Sequence, residues 1–422
     1  MNGTSGRNPR CFYGWSIVSI AFFAHFMSVG TNFYIYNAFM EPLCSERGFT
    51  RAGINLALML GTMVGFAAQF FYGTLLIRVG PRIMMTAGGV LAGVFFIFLG
   101  RVDHMWQFYV LYLATFLANM SLGGIVANTA VNNWFVIKRG KALGLATAGV
   151  SLSGAVIPVL AMLLVKSFSL ESAFLWLGVA LVLAGPVAWL VVRNWPEDYG
   201  LLPDNAPADD AVPQSHETVS VESRESRLWS PRELFRTGAF WKLGFAYALV
   251  MMSVVGVMPQ LKPRFSDIGF SDNAAMAMMA SAALLGTMGK YFWGMLCDRH
   301  APRRVASLLM CMCGLGLAVG LVSGSAPYQM AFAIIFGFAM GGVMSTFPVI
   351  IAFLFGRASF AAVFRLLALF LALEVIGYAL MSASYEVSKS YDIAYYAFVV
   401  LDLMAAFLVF SVRKPETSVS TP

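Results

Sequence analysis

Long apolar stretches follow one another through almost the whole chain, and each is as long as a membrane span must be. A helix crosses a bilayer with about twenty mainly apolar residues. Twelve candidates centre on 13–40, 52–76, 83–100, 106–134, 142–165, 171–192, 238–260, 274–297, 305–323, 327–355, 359–384 and 392–412. The gaps between them hold charges or the Pro and Gly signals of turns. Composition agrees: 59% of the 422 residues are hydrophobic and 12% are charged. A soluble domain carries about twice that share of charge. The sequence therefore predicts an all-α membrane protein with twelve transmembrane helices. Arg7 and Arg10 precede an apolar stretch too long for a cleavable signal, so the first helix is expected to be retained.

Charge placement gives the orientation. With the N-terminus inside, nineteen of the 28 Lys and Arg fall on the cytoplasmic side. Seven fall outside (Arg47, Arg51, Arg101, Lys166, Lys262, Arg264 and Lys389), and Lys290 and Arg365 stay within helices. The positive-inside rule then puts both termini in the cytoplasm, and the expected location is the plasma (inner) membrane, as a multi-pass protein. The net charge of +7 reports this topology and not a nucleic-acid partner.

The chain also repeats itself at an offset of 221. Pro42 falls on Pro263, Gly48-Phe49-Thr50 on Gly269-Phe270-Ser271, Gly65 on Gly286 and Gly73 on Gly294. Arg78, Pro81 and Arg82 fall on Arg299, Pro302 and Arg303. Thr50 and Ser271 are expected N-caps, and the paired glycines allow close helix approach in lipid. This implies two pseudo-symmetric six-helix bundles, 1–192 and 237–422, joined by a cytoplasmic linker, 193–236. The linker reads as flexible from its Pro, Asp and Ser content, and its His216 is read as a linker residue. Parallel repeats of this kind suit a secondary transporter with its site at the midplane.

Gly73-x-x-x-Ile77-Arg78-x-Gly80-Pro81-Arg82 resembles the major-facilitator loop motif G-x-x-x-D-R-x-G-R-R. The second copy, Gly294 to Arg304, keeps the acidic residue as Asp298, whereas the first has Ile77. Trp134-Phe135-x-x-Lys138-Arg139-x-x-Ala142-x-Gly144-x-Ala146-x-Ala148-Gly149 is similar to the helix 4–5 signature of the monocarboxylate porters and the related oxalate–formate antiporters. Phe12-Tyr13-Gly14-Trp15 resembles the start of their first helix, without its acidic residue. The resemblance implies the major-facilitator fold. It also implies that Gly73, Arg78, Arg82, Gly294, Asp298, Arg299 and Arg303 form conformational loop motifs.

Ionisable residues inside spans are costly and are functional candidates by default. Lys290 lies four residues before Gly294, on the same helical face. In the monocarboxylate porters an arginine at the matching place pairs with the substrate carboxylate. Lysine keeps the attraction but lacks the planar fork. Its repeat mate is Gln69. The plainer reading is a snorkelling lysine, about 10 Å from the inner end at 1.5 Å per residue. Arg365 enters helix eleven from the same side to a similar depth, and a second cation there is also a feature of the oxalate–formate antiporters; the plainer reading is an interfacial arginine. Glu374, in the middle of that helix, is the candidate for proton coupling, with a structural ion pair as the alternative. The porters' coupling aspartate is replaced by Gly286. His25, Tyr34 and Asn119 are candidate substrate contacts, and interhelical hydrogen bonding is their commoner use. Asp402 reads as a packing residue.

The resulting expectation is secondary active transport of a small carboxylate, of the lactate or pyruvate type, by alternating access with proton coupling or anion exchange. The alternatives are a dicarboxylate or formate-type antiporter, or efflux of amphipathic compounds. No nucleophile motif, nucleotide loop or metal cluster marks an enzyme, and no cofactor or metal is expected. Expected partners are a small organic anion, protons and the lipid bilayer, for a chain that works as a monomer.

Overall fold

The computed structural model describes residues 12–205, 229–322 and 324–415. Arg7, Arg10, Cys11, Pro207, Pro213, His216, Arg224 and Arg227 lie outside them. The described residues form helices, with no strand among them. In order these are α1 (Gly14–Val29), α2 (Tyr36–Arg47), α3 (Arg51–Leu99), α4 (Met105–Leu122), α5 (Gly124–Trp134), α6 (Arg139–Ser167) and α7 (Leu170–Val191). Then follow α8 (Pro231–Arg236), α9 (Gly238–Val257), α10 (Leu261–Asp267), α11 (Asp272–Arg299), α12 (Pro302–Val322), α13 (Ala326–Phe355), α14 (Phe360–Leu371), α15 (Val375–Ser388) and α16 (Asp392–Phe410).

Several of these are legs of one crossing. A π-helical turn, Gly30–Tyr34, links α1 to α2, and 3₁₀ turns link α9 to α10 and α14 to α15. Between α4 and α5 the chain turns at Gly124 (φ +53°). Helix α3 is the reverse case, since its two legs are the separate expected spans 52–76 and 83–100, which meet at Gly80 (φ +79°), just before Pro81. Such breaks leave backbone groups to be satisfied by neighbours, which bilayer interiors tolerate only inside protein.

Among the described residues, ten helical segments are long and apolar enough to cross a membrane. The other two expected spans, 52–76 and 274–297, are helical as the first leg of α3 and as α11, and the first of them includes a shorter apolar helix, Leu56–Gln69. They are repeat mates, and both pack across the seam between the halves, α3 on α14 and α11 on α6.

The repeat survives in three dimensions. Arg51 and Asp272, Met105 and Ala326, and Arg139 and Phe360 begin helices 221 residues apart, and Trp134 and Phe355 end them at the same spacing. Gly48 (φ +67°) and Gly269 (φ +102°) make equivalent left-handed turns. Thr50 then accepts from the Gly53 N–H (3.1 Å) and Ser271 from the Ala274 N–H (3.4 Å), so both expected N-caps are present.

Both described ends lie on one face, called here the terminal face. There Tyr13 donates to the Val191 carbonyl (2.6 Å) and Arg303 to the Val412 carbonyl (3.1 Å). The two signature stretches of the first half meet on this face. Tyr13 packs on Trp134 and Trp15 on Phe135, with ring centroids 5.2 and 5.1 Å apart. The halves touch mainly through α6 with α11 and α13, and through α14 with α3 and α5. Helix α15, the leg of the same crossing nearer the opposite face, packs instead on α9 and α16. Asp402 is fully buried and accepts from Ser253 at 2.9 and 3.1 Å, tying α16 to α9 as a packing residue does.

Candidate functional site

Helices α6 and α11 cross the seam on glycines. A Cβ at Gly144 would stand 2.7 Å from the Lys290 carbonyl oxygen, and Gly140 and Gly294 meet backbone to backbone. That approach carries the Lys290 side chain into the protein, where the residue is only 9% exposed. Its ammonium has no hydrogen bond or ion pair among the described residues.

His25 is buried on α1, with Nε2 3.1 Å from Oδ1 of Asn128 on α5. One turn further along α5, both side-chain polar atoms of Asn132 are buried with no hydrogen-bond partner among the described residues. One half thus offers a cation, and the other a histidine and two amides. This arrangement can hold an anion and orient a second polar group by hydrogen bonds.

The other candidates stand elsewhere. Asn119 donates to Thr31 Oγ1 (3.0 Å) and Asn32 Oδ1 (2.8 Å), joining α4 to the π-helical turn. The Tyr34 ring lies against Gly154 of α6. Arg365 is the repeat mate of Gly144 and so enters at a level equivalent to that of Lys290. Its side chain, however, lies over Gly73 and donates to Thr74 Oγ1 across the α3–α14 seam. Glu374 sits in the 3₁₀ turn between α14 and α15, partly exposed, with no ion pair among the described residues. Lys290 and His25 are both buried, on α11 and α1, while Arg365, Asn119, Tyr34 and Glu374 stand in separate surroundings.

Of the loop-motif residues, Asp298 is the most engaged. Its carboxylate accepts from the backbone N–H groups of Gly140 (2.5 Å) and Lys141 (2.8 Å), in the first turn of α6. A carboxylate there meets unsatisfied donors and the positive end of the helix dipole. Arg82 donates to the Trp189 carbonyl (2.9 Å) and lies 4.1 Å from the Trp189 ring centroid, while Arg78 and Arg299 are exposed. Arg303, with Lys242, Arg304, Arg413 and Lys414, lines a concavity of about 810 Å³ on the terminal face that does not include Lys290.

Thr74 and Asn128 are the contacts that single-residue reading undervalued. Both are small polar residues in apolar runs, and only the packing shows which neighbours they meet.

A sequence profile of the Major Facilitator Superfamily matches residues 18–372 and 243–422. The chain is 25% identical over 333 residues to an oxalate:formate antiporter of Oxalobacter formigenes, covering 77% of this chain and 74% of the relative. It is 25% identical over 353 residues to an MFS-type transporter of Gibberella moniliformis, covering 81% and 75%. The solved structure of the fucose:proton symporter of E. coli superposes with a TM-score of 0.70 at 13% identity, covering 96% of this chain and 100% of that one. A human organic anion transporter gives 0.69 at 13%, with the same coverage. The chain belongs to the major facilitator superfamily, and it is a transporter rather than an enzyme.

Proposed function

We propose that this superfamily member carries a small carboxylate across the plasma (inner) membrane by alternating access, with Lys290 as the anchor for the anion. The observation that carries the reading is the buried Lys290 ammonium, which has no hydrogen bond or ion pair among the described residues. A buried charge without a partner is costly, and an anionic ligand relieves that cost. His25, Asn128 and Asn132 supply the opposite wall. One ammonium suits a monocarboxylate of the lactate or pyruvate type. Glu374 is the carboxyl assigned to proton coupling, and Asn119 and Tyr34 shape the first-half side. The halves 1–192 and 237–422 rock about the site, with 193–236 as the link between them. The Gly73–Arg82 and Gly294–Arg303 loops exchange partners as they do so. The excess of Lys and Arg on the terminal face supports cytoplasmic termini, and a monomer contains the whole site.

A second reading is exchange of a dicarboxylate for a smaller acid. It is favoured by the relative named as an oxalate:formate antiporter and by the second cation, Arg365.

The test is thermal stabilisation of the purified protein against a panel of mono- and dicarboxylates, beside Lys290→Gln. A ligand bound only by the folded state raises stability by mass action. A shift with one or two small acids that vanishes in the variant supports the anchor. The absence of a shift with any carboxylate removes the reading and leaves efflux of amphipathic compounds in its place. Counterflow in proteoliposomes then separates exchange from proton-linked uptake.

A further inference from the structure

The start of the central linker is not a loose tether. Residues 193–205 carry two 3₁₀ turns, Glu197–Tyr199 and Pro203–Asn205, with left-handed backbone at Gly200 (φ +66°) and Asp204 (φ +57°). A left-handed conformation is uncommon outside glycine and is best tolerated by Asn and Asp. Here it aims the Asp204 carboxylate at the loop between α5 and α6. Oδ2 accepts from the N–H groups of Val136 (2.6 Å) and Ile137 (2.7 Å), and Oδ1 from that of Lys138 (3.1 Å). Asp298 holds the next available N–H groups, those of Gly140 and Lys141. Two carboxylates, one from the linker and one from the second half, thus occupy a single run of backbone donors.

The other anchors of the segment are also on the first half. The Asn194 carboxamide accepts from the Arg82 N–H (3.1 Å) and fills the space that a side chain at Gly80 would take. Asn133 donates to the Asn194 carbonyl (2.9 Å), and Trp134 Nε1 to the Arg193 carbonyl (2.9 Å). The segment then reaches across the seam. Glu197 pairs with Arg357, in the loop between α13 and α14, and the Arg357 guanidinium lies 4.9 Å from the Trp195 ring centroid. Arg357 is the repeat mate of Val136, so one short segment grips equivalent loops of both halves.

We infer that residues 193–205 form a strap that holds the terminal face shut, with Glu197–Arg357 as its releasable clasp. The inference rests on the alternating-access reading. If the halves separate on this face, the strap stays with the first half through Asn194 and Asp204, and the Glu197–Arg357 pair must break. The clasp is built to release. Arg357 is buried, while Glu197 keeps its second oxygen buried without a hydrogen-bond partner among the described residues, so the pair holds less tightly than a fully satisfied one.

The test measures the distance between spin labels at Ile137→Cys and His300→Cys, two exposed positions on the terminal face of opposite halves, with the native cysteines replaced. The strap predicts that Glu197→Gln adds a longer-distance population, raising the open-to-closed ratio by roughly threefold to tenfold, the scale of one charge-assisted pair. Arg357→Gln is expected to do the same, and the double variant to match either single one. Because Arg357 is buried and its variant can fail to fold, Glu197→Gln alone decides. An unchanged distribution in Glu197→Gln overturns the strap, and an additive double variant overturns the clasp as a pair. The distance needs no substrate. Loss of the carboxylate reading leaves this result standing, and an immobile strap leaves carboxylate binding standing.

Discussion

Gly140 and Gly294 touch through their backbones, so that a Cβ on either would collide with the carbonyl oxygen of the other. They come from opposite halves, at the helix crossing that closes the terminal face. With Asp298 bound to the Gly140 N–H, this contact sets how closely α6 and α11 approach. The clash is with backbone and not with a flexible side-chain tip, so no local rearrangement absorbs it.

Gly294→Ala is therefore expected to wedge the crossing apart, cut transport by roughly tenfold, equivalent to about 1.4 kcal/mol, and shift the protein toward a state open on the terminal face. The spin-label pair described above reads the shift. A variant with wild-type transport and distances would show that the contact is incidental.

Removing the Lys290 charge should stabilise the ligand-free protein while abolishing ligand response. Burying a charge without a partner is costly, and an apolar side chain of similar length removes that cost. Lys290→Met is thus expected to melt higher than wild type without ligand and to show no carboxylate-induced shift. A lower melting temperature in the apo variant would mean that Lys290 already has a structural partner.

Arg264 makes the opposite case. It is buried at the face away from the chain ends, donates to Gln329 (2.7 Å) and to the Gly320 carbonyl (2.9 Å), and lies 3.5 Å from Asp392. Its guanidinium is also 4.2 Å from the Tyr395 ring centroid. Arg264→Ala strands these acceptors and is expected to cost about 3 kcal/mol. Thermal unfolding in detergent checks this, and a change within error would show that water replaces the guanidinium.

Glu374 has no ion pair among the described residues and lies where α14 gives way to α15. If it carries the coupling proton, Glu374→Gln should lose accumulation driven by a pH gradient while retaining exchange in counterflow. Accumulation that persists in the variant assigns the proton to another group or to the substrate.

Much of the architecture was legible without coordinates because lipid imposes it locally. Span length, the charge bias between loops and the 221-residue repeat are properties of the chain, and the helix starts at Arg51, Arg139, Asp272 and Phe360 keep that spacing. Thr50 and Ser271 are caps because a cap is a three-residue affair. Of the twelve expected spans, ten coincide with long apolar helical segments among the described residues.

The linker was misjudged in its first part. Its Pro and Asp content reads as flexible, yet Gly200, Pro203 and Asp204 form turns that dock on distant loops. Nothing near Asp204 in sequence announces the donors at Val136–Lys138, because those groups are backbone and carry no side-chain signature.

The sequence by itself determined that this chain is a helical membrane protein with an internal repeat, and it singled out Lys290 and Arg365 as cations out of place. Those conclusions follow from burial costs that each residue bears wherever its helix lies. Only the tertiary structure decided that His25 meets Asn128 while Arg365 turns to Thr74, and that Asp298 and Asp204 share one loop. Those pairings join residues more than sixty positions apart, and they depend on helix rotation and glycine-limited approach, which no local pattern encodes.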